Sequence, residues 1–109
     1  MARACKLYGG VTMIKYELSI TPKWIELRVH GHAQHEDAAF NQVCGMVSAV
    51  SQSCVYGIIH FCHGYDVMEY EKGKLRVKVR NNNVAQALCL SCVAGLNAIK
   101  QEFPASFEG

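Results

Sequence analysis

This chain of 109 residues has no large excess of charge of either sign. It also has no signal sequence and no long apolar run. The formal net charge of +2 is too small to predict nucleic-acid binding. No uninterrupted apolar run reaches the roughly 20 residues that a membrane-spanning helix needs, and no signal peptide precedes the cysteines. We therefore expect a cytoplasmic protein that binds no nucleic acid directly and does not associate with a membrane.

Apolar residues and cysteines, by contrast, are abundant. Apolar residues make up 50% of the chain, which also contains 6 cysteines. A chain of this size can bury enough surface for one core without cross-links, and several of the cysteines fall on apolar faces of predicted helices. We therefore expect reduced thiols rather than a disulfide framework. The high apolar fraction also suggests that a second copy of the chain covers part of the surface.

Residues 13–109 are predicted to form one domain, after a leader over residues 1–12 that has no clear periodicity and is expected to be poorly ordered. Alternating apolar and polar residues predict strands over 14–20, 25–30 and 74–80, and a weaker pattern predicts one over 66–71. Steps of three and four predict helices over 41–61 and 84–103, the second of them apolar nearly all round. The resulting order, ββαββα with antiparallel strands, indicates the α+β class.

A histidine and a cysteine stand twelve residues apart, at His32 and Cys44, and together predict a nucleophilic site. His32 opens a predicted loop over residues 32–40, and Asn41 is a candidate N-cap that places Cys44 in the first helical turn. Unpaired N–H groups in such a turn stabilise a thiolate and could bind the oxyanion of a peptide carbonyl. Ser48 and Ser51 lie on the same helical stripe as Cys44.

The same pattern also fits an interpretation without catalysis, in which Cys44 is a small buried residue and His32 only ends a strand. A third catalytic group is not defined. Asn41 could orient His32, as an asparagine does in papain-like enzymes, or only cap the helix. Glu36 and Asp37 could orient His32 or be solvated loop charges.

Two further cysteine and histidine patterns suggest other chemistry. His30, His32 and His35 could bind a metal together with Cys44, but no paired-cysteine knuckle accompanies them, and we expect no metal and no cofactor. The CxxC motif at Cys89–Cys92 lies inside an apolar helix, where core packing is expected rather than redox chemistry.

A basic stripe on the fourth predicted strand could guide an acidic or RNA-associated partner. No aromatic stacking set is interleaved with it, which favours a solvated sheet face. The stripe consists of Lys74, Arg76, Lys78 and Arg80.

Two short motifs carry a resemblance to a known family. The chain reads Val29-His30-Gly31-His32-Ala33 and then Val43-Cys44-Gly45-Met46-Val47-Ser48. This resembles the signature of the ribosomal-processing cysteine protease family Prp (YsxB-like), in which Gly-His-Ala ends a strand and Asp-Ile-Val-Cys-Ala-Ala-Val-Ser opens a helix. The interval of twelve between histidine and cysteine also matches. The resemblance extends over about residues 13–103.

The resemblance implies a homodimer with both helices on one side of the sheet. It implies a Cys/His endopeptidase with Cys44 as nucleophile and His32 as general base and acid. The implied substrate is the N-terminal extension of bacterial large-subunit ribosomal protein twenty-seven, cut after aromatic residues, or a phage capsid or scaffold precursor. The candidates for orienting His32 or lining the cleft are Asn41, Gly31, Gly45 and Ser48.

The chain departs from the family pattern near the cysteine. Asn41 replaces an aspartate, Gln42 an aliphatic residue, Ala39 a loop glycine and Gly45 an alanine. These changes leave the dyad intact. Because Asn41 replaces the aspartate, they argue against a carboxylate at this position that orients His32. The loop over residues 32–40 would flank the cleft, where a mobile lid is expected. The alternative function is a non-catalytic module of the same fold that binds a ribosomal or capsid precursor peptide.

Overall fold

Alternating apolar and polar residues build a four-stranded antiparallel sheet in the computed structural model, which describes residues 13–31, 38–71 and 73–108. The strand order is β1-β2-β4-β3, so the two hairpins lie side by side with β2 and β4 in the centre. This arrangement confirms the predicted α+β fold. The elements are β1 (Lys15–Ile20), β2 (Trp24–His30), α1 (Ala38–Phe61), β3 (Tyr65–Glu71), β4 (Lys74–Arg80) and α2 (Asn83–Glu102).

The apolar face of the sheet forms one side of the core. Successive side chains of a strand point to opposite faces, and the register pairs Leu27 with Val77 and Val29 with Leu75 on one of them. All four side chains are at most 5% exposed. Both helices pack on this apolar face, which confirms the expected placement of the helices on one side of the sheet.

The two helices pack closely against each other, with cysteines between them. Cys89 and Cys92 are buried, as expected for core residues, and the Cys54 thiol lies 3.7 Å from the Leu88 carbonyl oxygen. A hydrogen bond with Cys54 and burial both raise the pKa of Cys89. Cys54, Cys62, Cys89 and Cys92 are all free thiols.

The Gln42–Phe61 part of α1 is long and apolar enough to cross a bilayer by length and composition alone, although none of its uninterrupted apolar runs reaches about 20 residues. A core helix of a soluble protein meets the same criterion. Val43, Val55 and Ile58 are completely buried in the core cluster, so much of the apolar character of α1 is used inside the molecule.

The beginning of α1 differs from the prediction. The helix starts at Ala38, so residues 38–40 are helical rather than loop, and Asn41 is inside the helix rather than its N-cap. Alanine has the highest helix propensity, and Ala38 and Ala39 extend the helix beyond the candidate cap. By contrast, Asn82 caps α2, because its side chain accepts a hydrogen bond from the Ala85 N–H at 2.9 Å.

The C-terminal segment makes a pairing that the sequence patterns did not predict. After a 3-10 turn at Pro104–Ser106, Phe107 pairs in parallel with Ile14. The Ile14 N–H donates to the Ser106 carbonyl and the Glu108 N–H donates to the Ile14 carbonyl, both at 2.9 Å. This pairing holds the residue before β1 against the end of the chain. The predicted leader over residues 1–12 lies outside the described residues.

Candidate active site

A cavity of about 350 Å³ lies where the sheet meets the N-terminal half of α1. The end of β2, the end of β3 and the start of β4 form one wall, and α1 forms the other. Its apolar lining consists of Ile14, Val29, Val47 and Leu75, and α1 contributes the polar groups of Cys44, Ser48, Ser51 and Gln52.

Cys44 lies at the edge of this cavity and is partly buried. It is the seventh residue of α1, in the second helical turn and not the first. In a regular α-helix the Cys44 N–H would bond to the carbonyl four residues earlier, that of Phe40. The prediction that this N–H is one of the unpaired groups of the first turn is therefore wrong, and with it the expected oxyanion role of that group.

Gly31 brings the end of β2 to the same cavity. Its φ of +100° lies in the left-handed region that favours glycine, and a Cβ here would lie 2.0 Å from the Met13 carbonyl oxygen. The Gly31 N–H donates to the Gly73 carbonyl at 3.1 Å. The residue directly before His32 is thus fixed between two backbone segments.

Of the predicted site residues, the structure brings together Gly31, Cys44 and Ser48 around the cavity. Gly45 lies outside the cavity lining, and a Cβ added to it would meet no described atom within 4 Å. The remaining candidates, His32, Glu36, Asp37 and the side chain of Asn41, lie outside the described residues. The same holds for most of the loop expected to act as a lid.

Ser51 is a cavity residue whose place in the site the sequence pattern did not predict. It is only 6% exposed, and its hydroxyl has no hydrogen-bond partner among the described residues. The available signal was its position on the helical stripe of Cys44 and Ser48. The sequence pattern could not show that the hydroxyl lacks a described partner, because its hydrogen bonding depends on the sheet residues that pack against α1.

Lys74 of the basic stripe lines the cavity. The other three residues of the stripe lie on the outer face of the sheet. There the Glu26 carboxylate accepts hydrogen bonds from Arg76 at 2.7 Å and Arg28 at 2.9 Å, which lower the pKa of Glu26. Asp66 and Glu69 of β3 stand opposite basic residues of β4 in the register. Carboxylates therefore alternate with the basic groups, and the face is not uniformly cationic.

No group of three or more His, Cys, Asp or Glu side chains is placed to hold a metal ion within residues 13–31, 38–71 and 73–108. His30, one of the three histidines that could have formed a metal site with Cys44, ends β2 on the outer face of the sheet, where it pairs in register with Lys74. Cys44 lines the cavity on the opposite face.

Comparison with known proteins gives a family match over nearly the same residues as the predicted domain. The family model described as cysteine protease Prp matches residues 13–108. A solved structure of an essential ribosomal processing protease Prp from S. aureus, with a covalently linked product peptide, is 24% identical, covers 88% of this chain and 96% of that chain, and superposes with a TM-score of 0.71.

A second S. aureus Prp structure, with a substrate peptide, is 22% identical with a TM-score of 0.69 and the same coverage of both chains. At this identity the two structures establish a shared fold. No curated protein sequence matches the chain significantly.

Proposed function

Since this chain belongs to the cysteine protease Prp family and is a cysteine protease, we propose that it is an endopeptidase in which Cys44 and His32 form the catalytic dyad. The observation that carries this proposal is the cavity shared by Cys44 and Gly31. Gly31 directly precedes His32 in the sequence, which supports a position of His32 close to Cys44.

The dyad works by proton transfers through His32 and a transient covalent bond to Cys44. His32 accepts the proton of the Cys44 thiol, and the thiolate sulfur attacks the carbonyl carbon of the scissile peptide. The imidazolium then protonates the leaving amine as the C–N bond breaks. Water, deprotonated by His32, hydrolyses the thioester, which releases the acid product and restores the thiol.

The oxyanion needs a donor other than the Cys44 N–H, which the helix geometry directs to the Phe40 carbonyl. Ser48 stands one helical turn after Cys44 and lines the same cavity. We assign the Ser48 hydroxyl to this role, because a donor aimed at the developing charge is a large contribution to acyl transfer.

The proposed substrate is a precursor peptide in the bacterial cytoplasm. The solved relatives are described as ribosomal processing proteases with substrate or product peptides, which supports a peptide substrate here. The motif resemblance points to the N-terminal extension of large-subunit ribosomal protein twenty-seven, cut after aromatic residues. The alternative precursor substrate is a phage capsid or scaffold protein.

We also propose that the protein acts as a homodimer without direct contact to nucleic acid. Val84 and Leu90 on α2 are 46% and 49% exposed, which leaves apolar surface for a second copy. The carboxylates among the basic residues of the outer sheet face argue against a nucleic-acid site there.

The test is mass spectrometry of the extended ribosomal protein from the same source after incubation with the protein. We expect a product cut after the aromatic residues, and loss of that product in Cys44→Ala and His32→Ala. His30→Ala is the matched control, because His30 lies on the opposite face of the sheet, and it should cut normally. Intact precursor with an alkylation-sensitive Cys44 would point to another target, such as a phage precursor. Intact precursor with an inert Cys44 would favour the binding module.

A further inference from the structure

Ser51 lines the cavity together with Cys44, and its hydroxyl is buried. A serine inside a helix commonly donates to the carbonyl four residues earlier. Ser51 does not, and no other described residue pairs with its hydroxyl, although the residue is 94% buried. An unpaired buried hydroxyl is costly, so a group that reaches it from the cavity would gain a hydrogen bond.

The rest of the cavity determines what that group can be. Val29, Val47 and Leu75 form largely buried apolar walls. Tyr70 also lines the cavity, where burial and then its interaction with Tyr56 raise the pKa of the phenol. The cavity of about 350 Å³ is at the lower end of the usual range for ligand pockets, roughly 300–1,000 Å³, and therefore suits a single side chain.

We propose that Ser51 is a specificity-determining residue that selects tyrosine over phenylalanine on the acyl side of the scissile bond. This inference rests on the proposed function. The Cys44 sulfur bonds to the carbonyl carbon of that residue, so its side chain is next to the cavity that Cys44 lines. A phenol combines an apolar ring, which matches the walls, with a hydroxyl that pairs with Ser51. Phenylalanine would leave the Ser51 hydroxyl unpaired.

The first experiment compares two peptides that differ only in tyrosine or phenylalanine before the cleaved bond. One hydrogen bond corresponds to a preference of about tenfold in kcat/KM for tyrosine. Ser51→Ala should reduce this ratio to about one. Ser53→Ala is the matched control, because Ser53 is exposed and two residues away on the same helix, and it should keep the preference.

A second experiment measures binding without catalysis. Product peptides that end in tyrosine or phenylalanine are titrated by calorimetry into Cys44→Ala, with and without Ser51→Ala. We expect about tenfold tighter binding of the tyrosine peptide only where Ser51 is present. The ratio of the two binding affinities can be measured without cleavage. In Cys44→Ala alone it can also be measured with Ser51 unchanged.

The outcomes separate the two proposals. A tyrosine preference in binding without any cleavage would overturn the proposed endopeptidase and support the role of Ser51. Cleavage of both peptides at equal rates, or an equal tyrosine preference with and without Ser51, would overturn the role of Ser51 and support the endopeptidase. Absence of binding and of cleavage would overturn both.

Discussion

Ser51 should make the free protein less stable than a variant without the hydroxyl. Its Oγ is buried with no partner among the described residues, and such a group costs about 1–3 kcal/mol. Ser51→Ala should therefore raise the free energy of unfolding by about 1 kcal/mol, which corresponds to an increase of about 4–8 °C in Tm for a domain of this size. Urea unfolding measures the change directly.

Ser53→Ala is the control, with an expected change within about 0.5 kcal/mol because the side chain is exposed. A loss of stability in Ser51→Ala would mean that the hydroxyl is paired in solution. A stabilised but less selective enzyme would show that the unpaired hydroxyl is maintained for substrate recognition, since active sites commonly trade stability for function.

Gly31 should be intolerant of any side chain. A Cβ would meet the Met13 carbonyl oxygen at 2.0 Å, and the backbone has a φ of +100°. Gly31→Ala should reduce the free energy of unfolding by about 2 kcal/mol or more. Because Gly31 precedes His32, kcat/KM of the folded fraction should also fall, by about tenfold or more, as displaced catalytic groups cost rate steeply.

Gly64→Ala provides the matched comparison. Gly64 also has a positive φ, of +67°, but lies before β3 and near Arg80, away from the cavity. This variant should lose stability while the folded enzyme keeps its activity. If Gly31→Ala lost only stability and kept full activity per folded molecule, Gly31 would have no part in positioning the histidine segment.

At the scale of elements, the strands and the second helix could be predicted because their signals are local. Alternation defines β1, β2 and β4, and Asn82 supplies a side-chain cap for α2. The start of α1 was predicted wrongly because two local signals of similar strength compete there. One is the helix propensity of Ala38 and Ala39, and the other is the capping preference of Asn41.

Other features depend on contacts between distant parts of the chain. The pairing of Ile14 with Phe107 joins the two ends of the domain, and no local pattern indicates it. The candidate site shows the same limit. Helical spacing placed Ser48 and Ser51 with Cys44, whereas the cavity exists because Leu75 and Val29 approach them from the sheet.

Two glycines of α1 should respond differently to alanine. A Cβ at Gly45 would meet no described atom within 4 Å, whereas at Gly57 it would lie 2.8 Å from a methyl group of Leu88 on α2. Alanine in a helix gains about 0.5–1 kcal/mol over glycine. Gly45→Ala should therefore stabilise, and Gly57→Ala should lose this gain to crowding between the helices.

The difference between Gly45→Ala and Gly57→Ala in the free energy of unfolding should be about 1 kcal/mol, measured by urea unfolding. Equal stabilisation by both substitutions would show that α1 and α2 have room to adjust at Leu88. A loss of stability in Gly45→Ala would place further groups against α1 beside Cys44.

At the scale of the whole molecule, one face of α2 has the spacing of a helix-packing surface. Its residues follow steps of three and four and are exposed in the single chain: Val84, Ala87, Ser91, Ala94 and Ala98. Small residues at these steps allow a second helix to approach closely. This surface, which we call the α2 outer face, is the expected contact of the proposed homodimer, since a two-fold axis would place the same face on both copies.

A charge in the middle of the α2 outer face should therefore separate the copies. Analytical ultracentrifugation of the unmodified protein should give twice the chain mass of 12.1 kDa, and Ala94→Glu should give the single-chain mass because a buried, unpaired carboxylate is strongly disfavoured. Ala49→Glu is the control, because Ala49 is an exposed alanine on α1. Dissociation by Ala49→Glu but not by Ala94→Glu would move the interface to α1. A single-chain mass for the unmodified protein would exclude the dimer, and the apolar residues of α2 would then be exposed in the working enzyme.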